Sequence, residues 1–538
     1  MNNENDKPDT LFNAIIWIGG SLLLTQFIYW LCLWYSSWIL HTKSKFLLVL
    51  IMIPIVCLVI SSAFAIIKPL RMKRKAQKEI LGKPKGDKTN DAVYSGLTKE
   101  KEEIWIKTAQ RGMHTQVIGT TNAGKTESVI LPWAIQDIRA GRGLIIIDGK
   151  ADNSLLNKLW AYTVQAGRDK DFKLFSLSHL PESEQFNPLI GRIPEEVCER
   201  VFNSFEFDNP HYRSIQFEVF SHVLRIFEAA KITPTFAKLY QVIGRPQRLK
   251  ALTNDIKDMP LKEWIDDFCA LTESDRAQRT SGLLAAISHF AKGKNAVLFN
   301  AEASGINLDE VLQKNQIVYF QLPVLLSPFL GKATGKMVLQ CLQSAIANRH
   351  RGNSLRSDFF SVFLDDFTEY LSPGFVSLLN KSRSANIGIV FAHQALGDIK
   401  TLGDDIANSI LTNSNIKVFM RGNDPDTAEY CAKVAGTVRT EKFTERTTSG
   451  GFGRQNTGEA SMREVEEFPF HPNKFKKELG VGQAVMIIPH IAGAKAVEVQ
   501  FEKFDDIEPS RLLPHVKKLP VKELTFESKG DVTTAKTF

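Results

Sequence analysis

Apolar and polar positions follow three different rhythms along the chain. Near the amino end, residues 11–40 and 46–67 carry no charged side chain. Each run reaches the roughly 20 residues that a helix needs to cross a bilayer. Together they predict a two-helix transmembrane hairpin, with spans over about 12–35 and 46–67. From residue 111 onward, short continuous apolar runs alternate with amphipathic stretches, the rhythm of an α/β sheet with buried parallel strands. Strands are expected over residues 116–118, 144–147, 173–175, 317–321, 359–364, 387–392 and 416–420. Between about 194 and 299 the spacing turns helical, with candidates at 195–205, 214–231, 261–271 and 281–292 and no convincing strand. That stretch reads as an all-α insertion inside the α/β domain.

The expected organisation follows. A short tail (1–10) precedes the hairpin (11–70) and a basic linker (71–110). The α/β domain runs over 111–190 and resumes over 301–510, on either side of the insertion at 191–300. Residues 447–458 are rich in Gly, Ser and Thr and read as a mobile loop; residues 511–538 read as a tail.

Composition changes this picture little. The chain has 538 residues, 43% hydrophobic and 23% charged, which excludes a mainly disordered chain or a disulfide-stapled module. None of its six Cys forms a C-x-x-C pair, so no zinc or redox motif is signalled. The eleven His show no metal-binding spacing either.

Charge does matter, through its placement. Of the net +8, residues 1–80 account for +5, leaving a nearly neutral remainder. Composition alone therefore does not declare a nucleic-acid binder. The second apolar run is followed by Lys68, Arg71, Lys73, Arg74, Lys75 and Lys78, which marks that flank as cytoplasmic. Lys43 and Lys45 oppose this orientation but are outnumbered. Glu4, Asp6 and Asp9 precede the first run, unlike the basic start of a signal peptide. Two spans then make the expected protein multi-pass, with both ends in the cytoplasm.

The sharpest chemical signal is Gly119-Thr120-Thr121-Asn122-Ala123-Gly124-Lys125-Thr126, a G-x-x-x-x-G-K-[ST] sequence between an expected strand and helix. Glycines let backbone N–H groups turn toward phosphate oxygens, and the helix that opens at Lys125 adds its positive end. Lys125 reaches the β- and γ-phosphates of ATP, and the Thr126 hydroxyl ligates Mg²⁺. The expected second acidic site is Asp365-Asp366, at the end of an apolar strand. Asp365 would hold the Mg²⁺ shell and Asp366 would orient or deprotonate the attacking water. Asp148, also ending an apolar strand, is the rival. Gln394 ends the next strand and can sense a γ-phosphate or position water. Arg383, 18 residues beyond Asp365, can reach a neighbouring subunit's nucleotide in a ring, with Arg421 as a competitor. Asp424-Pro425 reads as a helix start.

The order of these parts resembles the type IV secretion coupling proteins, the TraG/TraD-type conjugative ATPases. Further matching pieces are Asn187-Pro188-Leu189, Ile306-Asn307-Leu308 and Asp426-Thr427-Ala428-Glu429. The resemblance implies a RecA-like P-loop motor in a homohexameric ring at the base of a secretion channel, using ATP and Mg²⁺. It implies recruitment and export of relaxase-bound single-stranded DNA, with channel proteins at the inner membrane as partners and protein effectors as a further cargo class. Two departures stand out. The usual Asp-Glu is Asp365-Asp366 here, and the frequent Asp-Pro-Lys is Asp148-Gly149-Lys150, which is similar to the DotL/TrbC branch. The alternative is a nucleotide-binding docking receptor for protein effectors with little translocation. A double-stranded DNA pump fits less well.

Overall fold

The computed structural model describes residues 91–207, 209–252, 256–351, 358–450, 453–490, 493–504, 507–508, 512–529 and 532–536. Both expected membrane spans lie outside these residues. Among the described residues, no helix is long and apolar enough to cross a membrane.

In chain order the strands are β1 (Ala92–Leu97), β2 (Glu103–Lys107), β3 (Thr115–Ile118), β4 (Leu144–Asp148) and β5 (Phe172–Ser176). Then come β6 (Ile317–Gln321), β7 (Phe360–Asp365), β8 (Ile387–His393), β9 (Ile416–Phe419), β10 (Val438–Gly450) and β11 (Gly453–Glu467). The last are β12 (Gln483–His490), β13 (Gly493–Phe501), β14 (Thr525–Lys529) and β15 (Val532–Lys536). Eleven of them form one sheet, in the order β2-β1-β13-β12-β9-β3-β8-β7-β4-β6-β5.

The run from β9 to β5 is parallel. Its members are the apolar runs that the sequence marks as strands. Parallel strands are covered on both faces, so both sides of each strand must be apolar. In β4, Leu144 and Ile146 enter one core while Ile145 and Ile147 enter the other. Helices Leu131–Arg139 and Asn153–Gln165 cover the first face. The insertion and helices Pro328–Arg351 and Gly374–Ser382 cover the second.

Sequence rhythm does not reveal β1, β2, β12 and β13. They pair antiparallel and extend the sheet beyond β9. The expected loop at 447–458 is also corrected. It is the distal part of an antiparallel ribbon, β10 with β11, whose pairing runs from Val438↔Glu467 to Gly450↔Gly453. Glycine and Ser/Thr punctuation reads as loop, but paired strands satisfy their backbone groups whatever side chains they carry.

Between β5 and β6 lie helices and no strand among the described residues, from Pro194–Phe202 to Ala296–Phe299. The longest, Pro210–Ala229, begins earlier than its apolar spacing indicates. Asn209 accepts a hydrogen bond from the His211 N–H and Pro210 takes the first turn. Phe202, Phe220, Phe236, Phe290 and Phe299 are all buried there, in the same core as β5 and β6.

Residues 512–529 do not hang free. The Leu512 carbonyl accepts from the Trp160 indole at 2.8 Å. Leu519 N–H donates to Gln185 Oε1 at 2.7 Å, and Leu524 N–H donates to Gln241 Oε1 at 3.0 Å. Arg248 stacks over Phe526 at 4.9 Å. This strap crosses from the sheet domain to the insertion.

One buried ionic cluster sits at the sheet edge remote from the P-loop. Arg111 donates to both Asp137 oxygens at 2.7 Å and to Ser361 at 3.0 Å. Arg142 also reaches Asp137 at 2.7 Å. Trp133 and Phe359 lie 5.3 and 5.0 Å from the Arg111 guanidinium.

Candidate nucleotide-binding site

The loop after β3 leads into a π-helical turn, Lys125–Ile130, and then helix Leu131–Arg139. The wide turn has a local cause. Pro132 has no N–H to give to Ser128, and the Leu131 N–H bonds Thr126 instead. Gly119 and Gly124 are both required. A Cβ at Gly119 would lie 2.9 Å from Met420 Cβ, and Gly124 has φ of +98°. Asn122 is also left-handed at +65°.

The N–H groups of Thr121, Asn122 and Gly124 have no partner among the described residues. The loop is instead fixed from outside. Thr120 N–H donates to the Arg421 carbonyl at 2.8 Å, and Gly482 N–H donates to the Ala123 carbonyl at 3.0 Å. Gly480 to Gly482, the turn into β12, is a contact that no local motif announces.

Lys125 is buried, and its ammonium donates to the Gly119 carbonyl at 2.7 Å and the Thr120 carbonyl at 3.2 Å. Burial and then the nearby Lys150 lower its proton affinity, against Asp365, Asp366 and Asp398. These hydrogen bonds fold the lysine over a loop whose free N–H groups form an anion cradle.

Strand order brings the acidic residues to this loop. β8 lies between β3 and β7, so the ends of β8 and β7 flank the loop that follows β3. Thr126 Oγ1 donates to Asp365 Oδ2 at 2.7 Å. Burial raises the Asp365 carboxyl's proton affinity, opposed by Lys150 and the Thr126 hydrogen bond. The two oxygens are hard donors held side by side, the ligand type that suits Mg²⁺. Asp366 follows in a left-handed conformation, φ 47° and ψ 46°. Its Oδ1 lies 3.1 Å from Lys150 Nζ. The Tyr370 hydroxyl spans the ends of β4 and β7, reaching the carbonyls of Ile147 at 2.9 Å and Asp365 at 2.7 Å.

The rival Asp148 sits one strand over, opposite Asp365. Its carboxylate is used locally, by the Tyr319 hydroxyl at 2.8 Å and by the N–H groups of Lys150 and Asp152. Burial, then Asp365, pushes its pKa up to about 6. Asp148 therefore lines the site without touching the P-loop.

Gln394 is exposed at the end of β8, with Oε1 3.4 Å from Thr121 Oγ1. Asp398 accepts from the N–H of Gln394 and of Ala395, both at 2.9 Å. His393 anchors this corner. Its buried ring is held neutral, with its pKa lowered to about 4 by burial, and lies 2.8 Å from the Ala395 carbonyl and 2.9 Å from Gln116 Nε2.

Arg383 is not brought to this site. It precedes β8, which runs parallel to β3, so it lies at the opposite sheet edge. Seven strand residues separate the two edges, roughly 20 Å at about 3.3 Å each. Arg421 is beside the P-loop, but what contacts the loop is its carbonyl. Asp424 caps helix Pro425–Ala435 as its sequence indicates.

Beyond Asp148, the Gly149 turn is tied to the next loop. Leu322 N–H donates to the Asp148 carbonyl at 2.9 Å, and Val324 N–H to the Gly149 carbonyl at 3.3 Å. That loop carries Leu325 and Leu326, 91% and 80% exposed.

Comparison with known proteins agrees with this arrangement. Residues 360–468 match the family described as the TraM recognition site of TraD and TraG. The type 4 coupling protein DotL of Legionella pneumophila is 23% identical over 421 residues, which is 65% of this chain. The chain spans about half (53%) of that relative's length. Among solved structures, the conjugative coupling protein TrwBdeltaN70 in its unbound monoclinic form superposes with a TM-score of 0.55 at 14% identity. It covers 81% of this chain and 93% of its own. TrwB with the non-hydrolysable ATP analogue ADPNP gives 0.53 at 14% identity, covering 81% and 94%. VirB4 of Thermoanaerobacter pseudethanolicus gives 0.50 at 11% identity, covering 79% and 99%. The shared fold is an α/β fold with a parallel-rich sheet. In motif order, in the matched segment and in fold, this chain is similar to the type IV secretion coupling proteins.

Proposed function

We propose that the chain is an ATP-hydrolysing coupling protein of a type IV secretion or conjugation system, anchored in the inner membrane with its motor in the cytoplasm. The observation that carries this reading is the 2.7 Å contact between Thr126 Oγ1 and Asp365 Oδ2, beside a loop with unpaired N–H groups. TrwB in complex with ADP and Mg²⁺ has the same fold, which adds support.

In this reading the N–H groups of Thr121, Asn122 and Gly124, with Lys125, bind the phosphates of ATP. Thr126 and Asp365 hold Mg²⁺, which neutralises phosphate charge when bound. Asp366 and Gln394 orient a water in line with the γ-phosphorus. The water oxygen bonds to phosphorus, its proton passes to Asp366, and the bond to the ADP oxygen breaks. Arg383, far from its own P-loop, would serve a neighbouring copy in a hexameric ring. The cargo proposed is relaxase-bound single-stranded DNA.

The test is ATP hydrolysis by the full chain in detergent, with and without single-stranded DNA, beside Lys125→Ala. DNA-stimulated turnover that the variant loses supports a motor. ATP binding without turnover under any cargo condition supports a docking receptor for protein effectors instead.

A further inference from the structure

Lys150 closes the Asp148-Gly149-Lys150 turn, and its ammonium is 3.1 Å from Asp366 Oδ1. The approach is built in rather than incidental. The Lys150 N–H is fixed to Asp148 Oδ1 at 2.9 Å, so the turn itself is rigid. Gly149 packs on Asp366: a Cβ at Gly149 would lie 3.6 Å from the Asp366 carbonyl oxygen and 3.7 Å from its Cβ. Asp366 in turn has left-handed backbone, which aims its short side chain at the turn.

The lysine side chain is 43% exposed, and its ammonium sits on a flexible four-carbon stem. It also shares the field of the P-loop lysine, since after burial Lys150 is the strongest influence on Lys125. Two ammonium groups that repel one another make a place for a polyanion. A terminal phosphate carries more charge than one carboxylate and competes for the mobile ammonium.

We propose that Lys150 is a positioning residue that responds to the γ-phosphate, holding Asp366 while that phosphate is absent and releasing it to the attacking water when it is present. The proposal rests on the nucleotide-site reading above. It assigns the shortened carboxylate a partner that controls when it is available.

The experiment is titration of the full chain in detergent with fluorescent ATP and ADP analogues, in EDTA, so that neither metal nor turnover contributes. Lys150→Met should weaken ATP by about tenfold and ADP by under about twofold, since only ATP offers the terminal phosphate. Lys150→Arg, which keeps the charge, should stay within about threefold of the unmutated chain for both. Asp366→Asn frees the ammonium and should raise the preference for ATP over ADP, an effect abolished when Lys150→Met is added. Equal losses for both nucleotides, or an unchanged ratio, overturn the proposal alone. Failure of the unmutated chain to bind either nucleotide overturns the nucleotide-site reading and the proposal with it.

Discussion

Asp148→Asn is expected to stabilise the protein at pH 7.5 and to lose that gain at pH 5.0. Asp148 is fully buried, and its pKa stands at about 6 against an ordinary 3.8. The folded chain thus binds this proton more tightly than the unfolded chain. Carrying the charge costs stability above pH 6, and the cost fades as pH falls through 6 toward 3.8. A shift of this size corresponds to about 3 kcal/mol at pH 7.5, of which roughly half remains at pH 5.0. Asparagine removes the charge but not for free. It accepts through one oxygen, and the backbone donor at Lys150 then faces an NH₂ group. That lost bond costs about 1–1.5 kcal/mol at either pH. The net gain is about 1–2 kcal/mol at pH 7.5 and near zero at pH 5.0. With about 2 cal/mol/K per residue over some 450 folded residues, the melting midpoint should rise roughly 1–2 °C at the higher pH only. The assay is paired thermal melting of variant and unmutated chain at both pH values without nucleotide. Melting differences that are the same at pH 7.5 and 5.0 refute the reasoning, because only a titrating Asp148 makes them diverge.

Other outcomes follow from the same geometry. Arg111→Met should destabilise the protein by about 3–5 kcal/mol, read by thermal or urea unfolding, because Asp137 keeps only Arg142 as a cation in a buried site. Asp365→Asn should leave ATP binding in EDTA nearly unchanged but remove most of the affinity that Mg²⁺ adds, measured with and without the metal. Gly482→Val should weaken nucleotide binding at least severalfold, since φ of +76° disfavours a β-branched residue and the Ala123 contact holds the P-loop. Deleting residues 512–538 should speed amide exchange around Pro181–Gln185 and Gln241–Arg248 without unfolding the sheet, followed by hydrogen exchange with mass spectrometry.

What was legible in the sequence was what is locally periodic. The parallel strands announce themselves because both faces are buried, so β4 and β8 are unbroken apolar runs. The P-loop and Asp365 are legible because a strand end followed by fixed residue types is a local pattern. β13 was not legible, since its burial is mixed and its Lys495, Glu498 and Gln500 break the run. The ribbon of β10 and β11 was hidden by its own composition. At the site, the missing parts are long-range contacts: Gly482 on Ala123, Tyr370 across two strands, Lys150 on Asp366. Such contacts leave no spacing to read, because the partners lie far apart in the chain.

The strap at 512–529 sets an order of assembly. Each surface it joins, from Trp160 and Gln185 to Gln241 and Arg248, is synthesised well before the strap exists. Sheet and helical insertion, which share one core, therefore pack together before the strap is made, and the strap adds a later tether. A chain caught before the strap is made would hold that packed core without its tether, a species that folding factors meet as an intermediate rather than as a misfolded product.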